Sequence, residues 1–389
     1  MTCWRICRRF AEAIVGVALT ASTAAAQEVP VQLLQQPTPD SWPTYHGDYS
    51  GRHHRSLTQI TPVNVPQLGL AWAFQTNAAQ SIKATPVVVN GVIYVSTPDN
   101  VWAIDARSGR QLWRYTYPPN AGFKIGHRGV AVLGGLVYVT TPDAHLVALA
   151  AQTGTVQWNV EIADSKRGYW STNAPLIIRN HLIVGVSGDF DNLPGILKSF
   201  DPATGALQWT FYSTQPGGTT SQGATGGQMW MTGTYDPELN LLYVGTGNPT
   251  PVLNGVVRQG DNKWTGSILA LNPDTGTLAW GFQAVPHDTH DWDAAQTPVL
   301  FDGTINGKPR KLVAQVSRNG HFFLFDRTNG EHITTSTFIK TLNWTNGVTK
   351  DGQPIRNPKK DPNIPGVLVS PGSDGATNWP PPCSSFSGS

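Results

Sequence analysis

The chain has 389 residues, of which 40 are Gly, 30 are Pro and 14 are Trp, while only 13% are charged. This composition is typical of many short strands joined by turns, because helical proteins carry more charge and less Gly and Pro. The formal net charge of +2 argues against nucleic acid as the main partner, since phosphate binding needs a concentrated basic face.

Residues 1–26 have the pattern of an export signal. Arginines precede an apolar run, and three alanines at 24–26 provide a small-residue cleavage site before Gln27. The apolar run is too short for a stable transmembrane helix, although a retained membrane anchor is the alternative interpretation. Only Cys383 would remain in the mature chain, so no disulfide is expected to support the fold. We therefore expect an exported protein that is not an integral membrane protein after processing.

Five segments repeat one pattern: a strand of alternating apolar residues, a polar turn with Gly and, in four of them, a Trp. The turn glycines are Gly109, Gly154, Gly205, Gly276 and Gly330. Their spacing, about 45 to 70 residues, matches a four-stranded propeller blade with insertions. Because one blade cannot bury both of its faces, blades stack around a common axis. The sequence predicts an all-β propeller over residues 27–379, with about five blades and the start of a sixth.

Local signals within the repeats support this prediction. Residues 85–98 alternate around Asn90-Gly91, a strong signal for a β-hairpin. A Trp follows four of the turns, and its large ring can fill the wedge between neighbouring blades. We predict that these tryptophans are architectural and take no part in chemistry. They are Trp113, Trp158, Trp209 and Trp280.

The repeated A-x-D-x-x-T-G-x-x-x-W pattern resembles the tryptophan-docking motif of eight-bladed quinoprotein propellers. More specific segments follow in the order found in methanol/ethanol-type PQQ dehydrogenases. They are residues 41–52 (SWPTYHGDYSGR), 127–133 (HRGVAVL), 171–178 (STNAPLII), 184–196 (VGVSGDFDNLPGI), 244–250 (VGTGNPT), 286–301 (PHDTHDWDAAQTPVLF), 317–328 (SRNGHFFLFDRT) and 373–380 (SDGATNWP). The resemblance implies a periplasmic enzyme that oxidises a primary or secondary alcohol to the aldehyde or ketone. It also implies that electrons pass to a cytochrome c or a quinone.

The resemblance implies a site for pyrroloquinoline quinone (PQQ). Trp230 is similar to the family's stacking tryptophan, and an indole floor contributes about 1 kcal/mol beyond the area it buries. Arginine and hydroxyl side chains clamp the carboxylates and quinone oxygens of PQQ, and guanidinium groups suit planar carboxylates. The residues at matching family positions are Arg128, Thr172, Ser187, Gly188, Arg318 and Asn378.

The resemblance also implies a Ca²⁺ ion, which prefers oxygen ligands. The implied ligands are Asp189, Asn248 and Asp293. The family usually has a Glu in the segment that corresponds to residues 187–193, and Asp191 in that segment is the alternative to Asp189. Asp293 is the implied general base, and we expect a neighbouring cation to keep its carboxylate ionised. Lanthanide-using relatives carry an Asp two residues beyond the base, and Ala295 at that position favours calcium.

Several positions depart from the family pattern or invite another interpretation. His287 and His290 form an H-x-x-H pair, but no third nitrogen or sulfur ligand is evident nearby, which disfavours zinc. We expect them to pack or hydrogen-bond around Asp293. Many relatives cover PQQ with a vicinal disulfide, and Phe123 is our candidate for a replacement lid. Lys83 occupies the position of a family Glu that contacts PQQ, and could still pair with a PQQ carboxylate.

Relatives continue for several further blades beyond the segment at 373–380. The resemblance therefore implies an incomplete ring with weaker PQQ binding and turnover, and an irregular tail over residues 380–389. Two other functions remain open. One is a non-catalytic periplasmic propeller scaffold, disfavoured by the H-D-x-x-x-W-D and G-T-G-N-P segments. The other is a sugar- or polyol-oxidising quinoprotein.

Overall fold

The computed structural model describes residues 28–76, 82–118, 125–190, 193–214, 225–362 and 366–381. The predicted export signal, most of the predicted tail, and Phe123 and Asp191 lie outside these ranges. Strands are the main regular secondary structure of the described residues. Most of these strands belong to five four-stranded antiparallel sheets. This confirms the predicted all-β class and its four-stranded repeating unit. In this part of the chain no helix is long and apolar enough to span a membrane.

The sheets follow one another along the chain. The first contains β1 (Val87–Val89), β2 (Val92–Thr97), β3 (Asn100–Asp105) and β4 (Gln111–Thr116). The second contains β5 (Ala131–Leu133), β6 (Leu136–Thr140), β7 (His145–Ala150) and β8 (Val156–Glu161). The third contains β9 (Leu176–Ile178), β10 (His181–Gly185), β11 (Ile196–Phe200) and β12 (Leu207–Tyr212).

The later sheets are separated by longer excursions. A two-stranded ribbon pairs β13 (Thr225–Gly226) with β16 (Pro249–Thr250). The fourth sheet contains β14 (Thr234–Asp236), β15 (Leu241–Gly245), β17 (Ser267–Leu271) and β18 (Leu278–Gln283). The fifth contains β19 (Val299–Ile305), β20 (Lys308–Val316), β21 (His321–Asp326) and β22 (His332–Thr337), and a hairpin follows from β23 (Thr345–Val348) and β24 (Pro354–Arg356). The helical segments are α1 (Val31–Gln35) and single 3-10 turns at Val65–Gln67, Ser165–Arg167, Gly255–Val257 and Pro358–Lys360.

The turns adopt the backbone conformations that the sequence signals require. Asn90 and Gly91 have φ angles of 50° and 74° and join β1 to β2, as expected for an Asn-Gly hairpin. The five repeat glycines all have positive φ, between 69° and 77°, which Gly tolerates without a steric penalty. In each of the five four-stranded sheets, the pairing of the third and fourth strands shifts register beside the turn that contains the repeat glycine. The repeat in sequence is thus a repeat in backbone geometry.

The repeat tryptophans join each sheet to the next, as predicted. A Cβ added to Gly154 would lie 2.6 Å from the Trp113 ring, so the indole rests directly on the turn of the following sheet. The Trp113 indole N–H also donates to the Ala151 carbonyl at 2.8 Å. The same packing joins Trp158 to Gly205, Trp209 to Gly276 and Trp280 to Gly330. Because each contact requires the absence of a side chain at the turn, the Gly and the Trp are one structural unit.

We expect Trp209→Ala to lower the free energy of unfolding by about 3–5 kcal/mol, the usual range for a buried Trp reduced to Ala. Trp209 is 9% exposed, and its indole N–H donates to the Pro273 carbonyl at 2.8 Å. Leu207→Ala on the same strand is the control, because Leu207 is 54% exposed and should cost about 0.5 kcal/mol or less. Urea titration followed by circular dichroism measures both. Equal losses in the two variants would contradict the docking role.

The docking pattern begins before the first sheet. Trp72 packs on Gly109 as the later tryptophans pack on their glycines, with 2.6 Å between the ring and an added Cβ. Residues 70–75 alternate between exposed and half-buried positions in the order seen in β8. Phe74 contacts Trp102 edge-on, with ring centroids 6.3 Å apart. This segment therefore lies against the first sheet in the manner of a fourth strand.

Candidate active site

The predicted site residues come from two kinds of position in the sheets. Some lie just before a first strand, and others follow directly after a second strand. First and second strands are antiparallel neighbours, so the start of one and the end of the other lie at the same edge of the sheet. The residues before first strands are Arg128, Thr172, Trp230 and Asp293, and those after second strands are Ser187, Gly188, Asp189, Asn248 and Arg318. Side chains far apart in sequence therefore converge at one end of the sheets.

These residues line one cavity of about 220 Å³. The lining consists of Ile125, Arg128, Trp170, Thr172, Ser187, Gly188, Asp189, Trp230, Asn248, Asp291, Asp293 and Arg318. It contains nine of the ten residues predicted for the cofactor, the cation and the base. Sheets two to five all contribute to it, so the cavity depends on how the sheets are arranged about one another.

An aromatic and cationic group forms one part of the lining. The Arg128 guanidinium lies 4.5 Å from the centre of the Trp230 ring and 5.0 Å from that of Trp379. Its Nη1 donates to the Thr172 hydroxyl, and Thr172 Oγ1 lies 3.5 Å from Ser187 Oγ. Burial lowers the pKa of Arg128 to about 10, so the guanidinium is still charged at neutral pH. Trp230 and Arg128 thus present a flat indole and a buried positive charge to the same cavity.

Asp293 is buried and held at both carboxylate oxygens. Its Oδ1 accepts the Asn248 backbone N–H at 2.8 Å, and its Oδ2 accepts Arg318 Nη1 at 2.7 Å. Arg318 Nη2 in turn donates to the Ser373 carbonyl at 2.7 Å. Two fixed donors therefore set the direction of the carboxylate, which a general base requires before any question of its pKa.

The carboxyl groups of this cavity repel one another. Burial raises the pKa of Asp293, while Arg318 and the Asn248 amide act in the opposite direction. Burial and the charge of Asp293 raise the pKa of Asp291, and burial raises that of Asp189. Together these groups raise the pKa of Asp293 to about 6, and a cation bound beside it would lower that pKa and favour the ionised form further.

Asn378 lies outside the cavity lining. Its side-chain oxygen accepts the backbone N–H of Trp379 at 2.8 Å, and its Nδ2 lies 3.4 Å from the Asp374 carbonyl. The neighbouring Trp379, rather than Asn378, contacts Arg128. Lys83 is also absent from the lining. Its side chain packs on Gly126, where an added Cβ would lie 2.5 Å from it. The roles of Asn378 and Lys83 toward PQQ stay predictions.

The histidine pair hydrogen-bonds to backbone carbonyls. His287 Nδ1 donates to the Gly260 carbonyl at 2.6 Å, and His290 Nε2 donates to the Lys360 carbonyl at 2.8 Å. His290 also stacks on Trp292, with ring centroids 4.3 Å apart. Within the described ranges no three or more His, Cys, Asp or Glu side chains are grouped to hold a metal. The two histidines therefore anchor residues 286–292, the segment just before Asp293, to neighbouring backbone. They do not contact the Asp293 carboxylate.

Sequence reasoning missed three lining residues: Ile125, Trp170 and Asp291. Trp170 had a usable signal, since it lies two residues before Thr172 and alternate residues of an extended segment face the same side. Its backbone does pair with Ser187 in extended conformation, with N···O distances of 2.8 and 3.1 Å. Asp291 had no such signal, because its positive φ of 67° breaks the alternation that would relate it to Asp293.

The lining suits an anionic planar cofactor beside a hard cation. Arg128 Nε and Arg318 Nε are buried and have no hydrogen-bond partner among the described residues, which leaves two charged donors for a ligand. Asn248 donates through Nδ2 to the Pro249 carbonyl at 3.1 Å. Its side-chain oxygen and the Asp189 carboxylate accept no hydrogen bond from the described residues, so both are available as ligands. Carboxylate and amide oxygens are the donors that Ca²⁺ prefers.

Comparison with known proteins gives consistent matches. Residues 42–363 match a PQQ family model described as the glucose/ethanol/alcohol dehydrogenase β-propeller domain. The quinohemoprotein alcohol dehydrogenase of Comamonas testosteroni is 38% identical over 377 residues, which cover 88% of this chain and 52% of that protein. Quinoprotein alcohol dehydrogenase PedH of Pseudomonas putida is 35% identical over 407 residues, covering 95% of this chain and 68% of PedH.

Solved structures agree. The Comamonas testosteroni quinohemoprotein alcohol dehydrogenase superposes with a TM-score of 0.80 at 35% identity, over 87% of this chain and 55% of that one. A europium-containing methanol dehydrogenase superposes with a TM-score of 0.83 at 31% identity, over 90% of this chain and 67% of that one. The chain thus spans about half to two thirds of the length of these relatives.

Proposed function

This chain belongs to the glucose/ethanol/alcohol dehydrogenase family of PQQ-binding β-propellers, and on that premise we propose that it oxidises a primary or secondary alcohol to the aldehyde or ketone with PQQ and calcium. One observation carries the proposal. Asp293 is a buried carboxylate fixed by Asn248 and Arg318, in a cavity that also contains Trp230 and Arg128. The proposed base, the indole that would lie under the cofactor and the guanidinium that would bind its carboxylates thus line the same cavity.

The lining residues divide into three roles. Trp230 would lie under the cofactor ring, and Arg128, Arg318, Thr172 and Ser187 would bind its carboxylates and quinone oxygens. Asp189, Asn248 and Asp293 would hold the cation, with Asp191 the alternative to Asp189. Bound PQQ would supply the quinone that accepts the hydride, and the cation would act on it as a Lewis acid.

Asp293 would remove the hydroxyl proton of the alcohol. Each of its carboxylate oxygens already accepts one hydrogen bond, and a carboxylate oxygen has a second lone pair for an incoming donor. The backbone N–H of Asn248 and the Arg318 guanidinium fix the carboxylate, so its free lone pairs would keep one direction as the alcohol binds. Burial of Asp293 keeps bulk water from competing with the alcohol for the base.

The acceptor of electrons and the location are part of the proposal. Relatives that are 33% identical to this chain are named for both acceptors: 1-butanol dehydrogenase (cytochrome c) of Thauera butanivorans and the dehydrogenase subunit of alcohol dehydrogenase (quinone) of Gluconacetobacter polyoxogenes. The proposal therefore includes a cytochrome c or a quinone as acceptor. Export to the periplasm rests on the pattern of residues 1–26. The two other candidates, a non-catalytic scaffold and a sugar- or polyol-oxidising quinoprotein, differ from this proposal in measurable ways.

The test is a titration of the purified chain with PQQ, with and without calcium, followed by tryptophan fluorescence. We expect saturable quenching that requires calcium, because Trp230 would lie under the cofactor. Absence of quenching in a folded, β-rich sample would favour the scaffold. A preference for europium over calcium would overturn the choice of cation. After loading, a panel of alcohols and polyols with an artificial electron acceptor separates alcohol from sugar oxidation.

A further inference from the structure

Two loops flank two of the predicted cation ligands, Asn248 and Asp293, and side chains from each loop bond to the other. The 249–262 loop follows Asn248 directly, and the 286–292 loop precedes Asp293 directly. The first loop lies within the fourth sheet, between β15 and β17, and the second connects the fourth sheet to the fifth, between β18 and β19. A backbone hydrogen bond from Ala294 to the Thr246 carbonyl, at 3.0 Å, joins the chain beside Asp293 to the chain beside Asn248. Behind this bond the two loops are held together by His287, which donates to the Asp261 and Gly260 carbonyls, and by a buried arginine.

Arg258 lies between the loops and is fully buried, at 0% exposure. Its Nε donates to the Pro251 carbonyl at 2.8 Å, and its Nη2 donates to the Val252 carbonyl at 2.8 Å. Nη2 also donates to the Asp288 carbonyl in the 286–292 loop. One guanidinium therefore bonds backbone carbonyls of both loops. Burial lowers its pKa to about 10, so it is charged at neutral pH.

Asp288 connects Arg258 to the backbone just before Asp293. The two oxygens of the Asp288 carboxylate accept the backbone N–H groups of His290 at 2.9 Å and Trp292 at 2.8 Å. These bonds fix the tight bend in which Asp291 has a positive φ, one residue before Trp292. Arg258 thus holds Asp288, and Asp288 holds the backbone that ends at Asp293.

The remaining contacts of Arg258 make the cross-link rigid. Nη1 donates to Asn262 Oδ1 at 2.6 Å, and Asn262 Nδ2 donates back to the Arg258 carbonyl at 2.9 Å. Every nitrogen of the guanidinium therefore has a partner, which is the condition for burying a charge at acceptable cost. Lysine at this position has a single nitrogen and could not bond both loops with the same planar geometry.

We propose that Arg258 is a positioning residue that fixes Asn248 relative to Asp293 and thereby sets the geometry of the cation site. The statement about the cation rests on the proposed function, whereas the statement about the two residues does not. Residues that orient metal ligands from behind typically change metal affinity by about 10–100-fold when replaced. If Arg258 only stabilised the loops, its replacement would lower the stability of the fold without a specific loss of metal affinity.

The first test needs no cation. The Asn248 amide donates to Asp293, so its hydrogen exchange reports whether the two residues stay in contact. We expect Arg258→Met to accelerate exchange at Asn248 about tenfold or more relative to Leu269 in β17, a core amide that reports global unfolding. We expect Arg258→Lys to be intermediate.

Arg327→Met is the matched control for this exchange measurement. Arg327 is also buried and bonds carboxylates and carbonyls of the fourth and fifth sheets, but it does not line the cavity. It should leave the ratio of Asn248 to Leu269 exchange unchanged. An unchanged ratio in Arg258→Met, or an equal change in Arg327→Met, would overturn the proposal.

The second test is a double-mutant cycle on calcium affinity, measured by equilibrium dialysis. We expect Arg258→Lys to weaken calcium binding about tenfold in the otherwise native chain and less than about twofold when Asn248→Ala has already removed one ligand. Equal losses in both backgrounds would overturn the link to the ligand pair. If the native chain does not bind calcium, the proposed cation fails, and the exchange measurement still decides the role of Arg258.

Discussion

Replacing Asp293 with Asn is expected to lower turnover of the PQQ-loaded protein by about a hundredfold to ten-thousandfold, the usual contribution of a positioned general base. Asn keeps the size of the side chain and one oxygen that can bind a cation, but its amide cannot accept the alcohol proton. The Asn248 N–H and Arg318 bond different oxygens of the native carboxylate, so the single oxygen of Asn keeps one of these bonds, while the proposed PQQ contacts of Trp230 and Arg128 are unchanged. We therefore expect PQQ affinity to fall much less than turnover.

Steady-state rates at saturating PQQ, together with the fluorescence titration, measure the two quantities separately. Asp302→Asn is the matched control, because Asp302 is an exposed carboxylate that also pairs with an arginine, Arg327, at 2.8 Å. It should retain native turnover. Native turnover in Asp293→Asn at full PQQ occupancy would remove Asp293 from the role of base, and the half-exposed Asp291 would then be the next carboxylate to examine.

Replacing Trp230 with Ala is expected to weaken PQQ binding by about tenfold to a hundredfold. Loss of an aromatic stacking surface costs about 1–3 kcal/mol where a planar ring lies on it. The substitution would also remove one of the two indoles that contact the Arg128 guanidinium. Arg128 would therefore be less firmly held as a partner for a PQQ carboxylate.

Two further variants distinguish stacking from a general effect on the fold. Trp230→Phe keeps an aromatic face and should recover most of the affinity. Trp158→Ala removes a tryptophan that packs on Gly205 between sheets and should lower stability without changing the PQQ affinity of the folded protein. Isothermal calorimetry in excess calcium gives the affinities. Equal PQQ affinity in Trp230→Ala and the native chain would show that the cofactor does not stack on this ring.

Most of the fold could be predicted from the sequence because its signals are local. The Asn90-Gly91 turn and the repeated turn glycines each act within a few residues, and the structure contains both. The repeated Trp and turn Gly also predicted how one sheet packs on the next, because both residues recur with the same period along the sequence. The segment at 70–75 escaped notice, since its Trp72 has no repeat turn of its own before it.

The candidate site could be predicted only as far as its motifs reach. Nine of the ten residues inferred from the family resemblance line one cavity, because each follows or precedes a strand at the same edge of its sheet. Asn378 does not, since its side chain bonds within its own segment. Asp291 enters the cavity because of a positive φ, and no pattern in the surrounding sequence indicates that conformation.

The sequence by itself thus determined the repeating unit and the turns, because these depend on backbone preferences within short segments, and its family resemblance identified most cavity residues through motifs that are equally short. Only the tertiary structure decided which side chains share a partner. Arg318 reaches Asp293 and Ser373, and Arg258 joins the loop that follows Asn248 to the loop that precedes Asp293. Such contacts depend on how separate sheets pack about one axis, and that packing brings together residues whose separation along the chain carries no signal of their proximity.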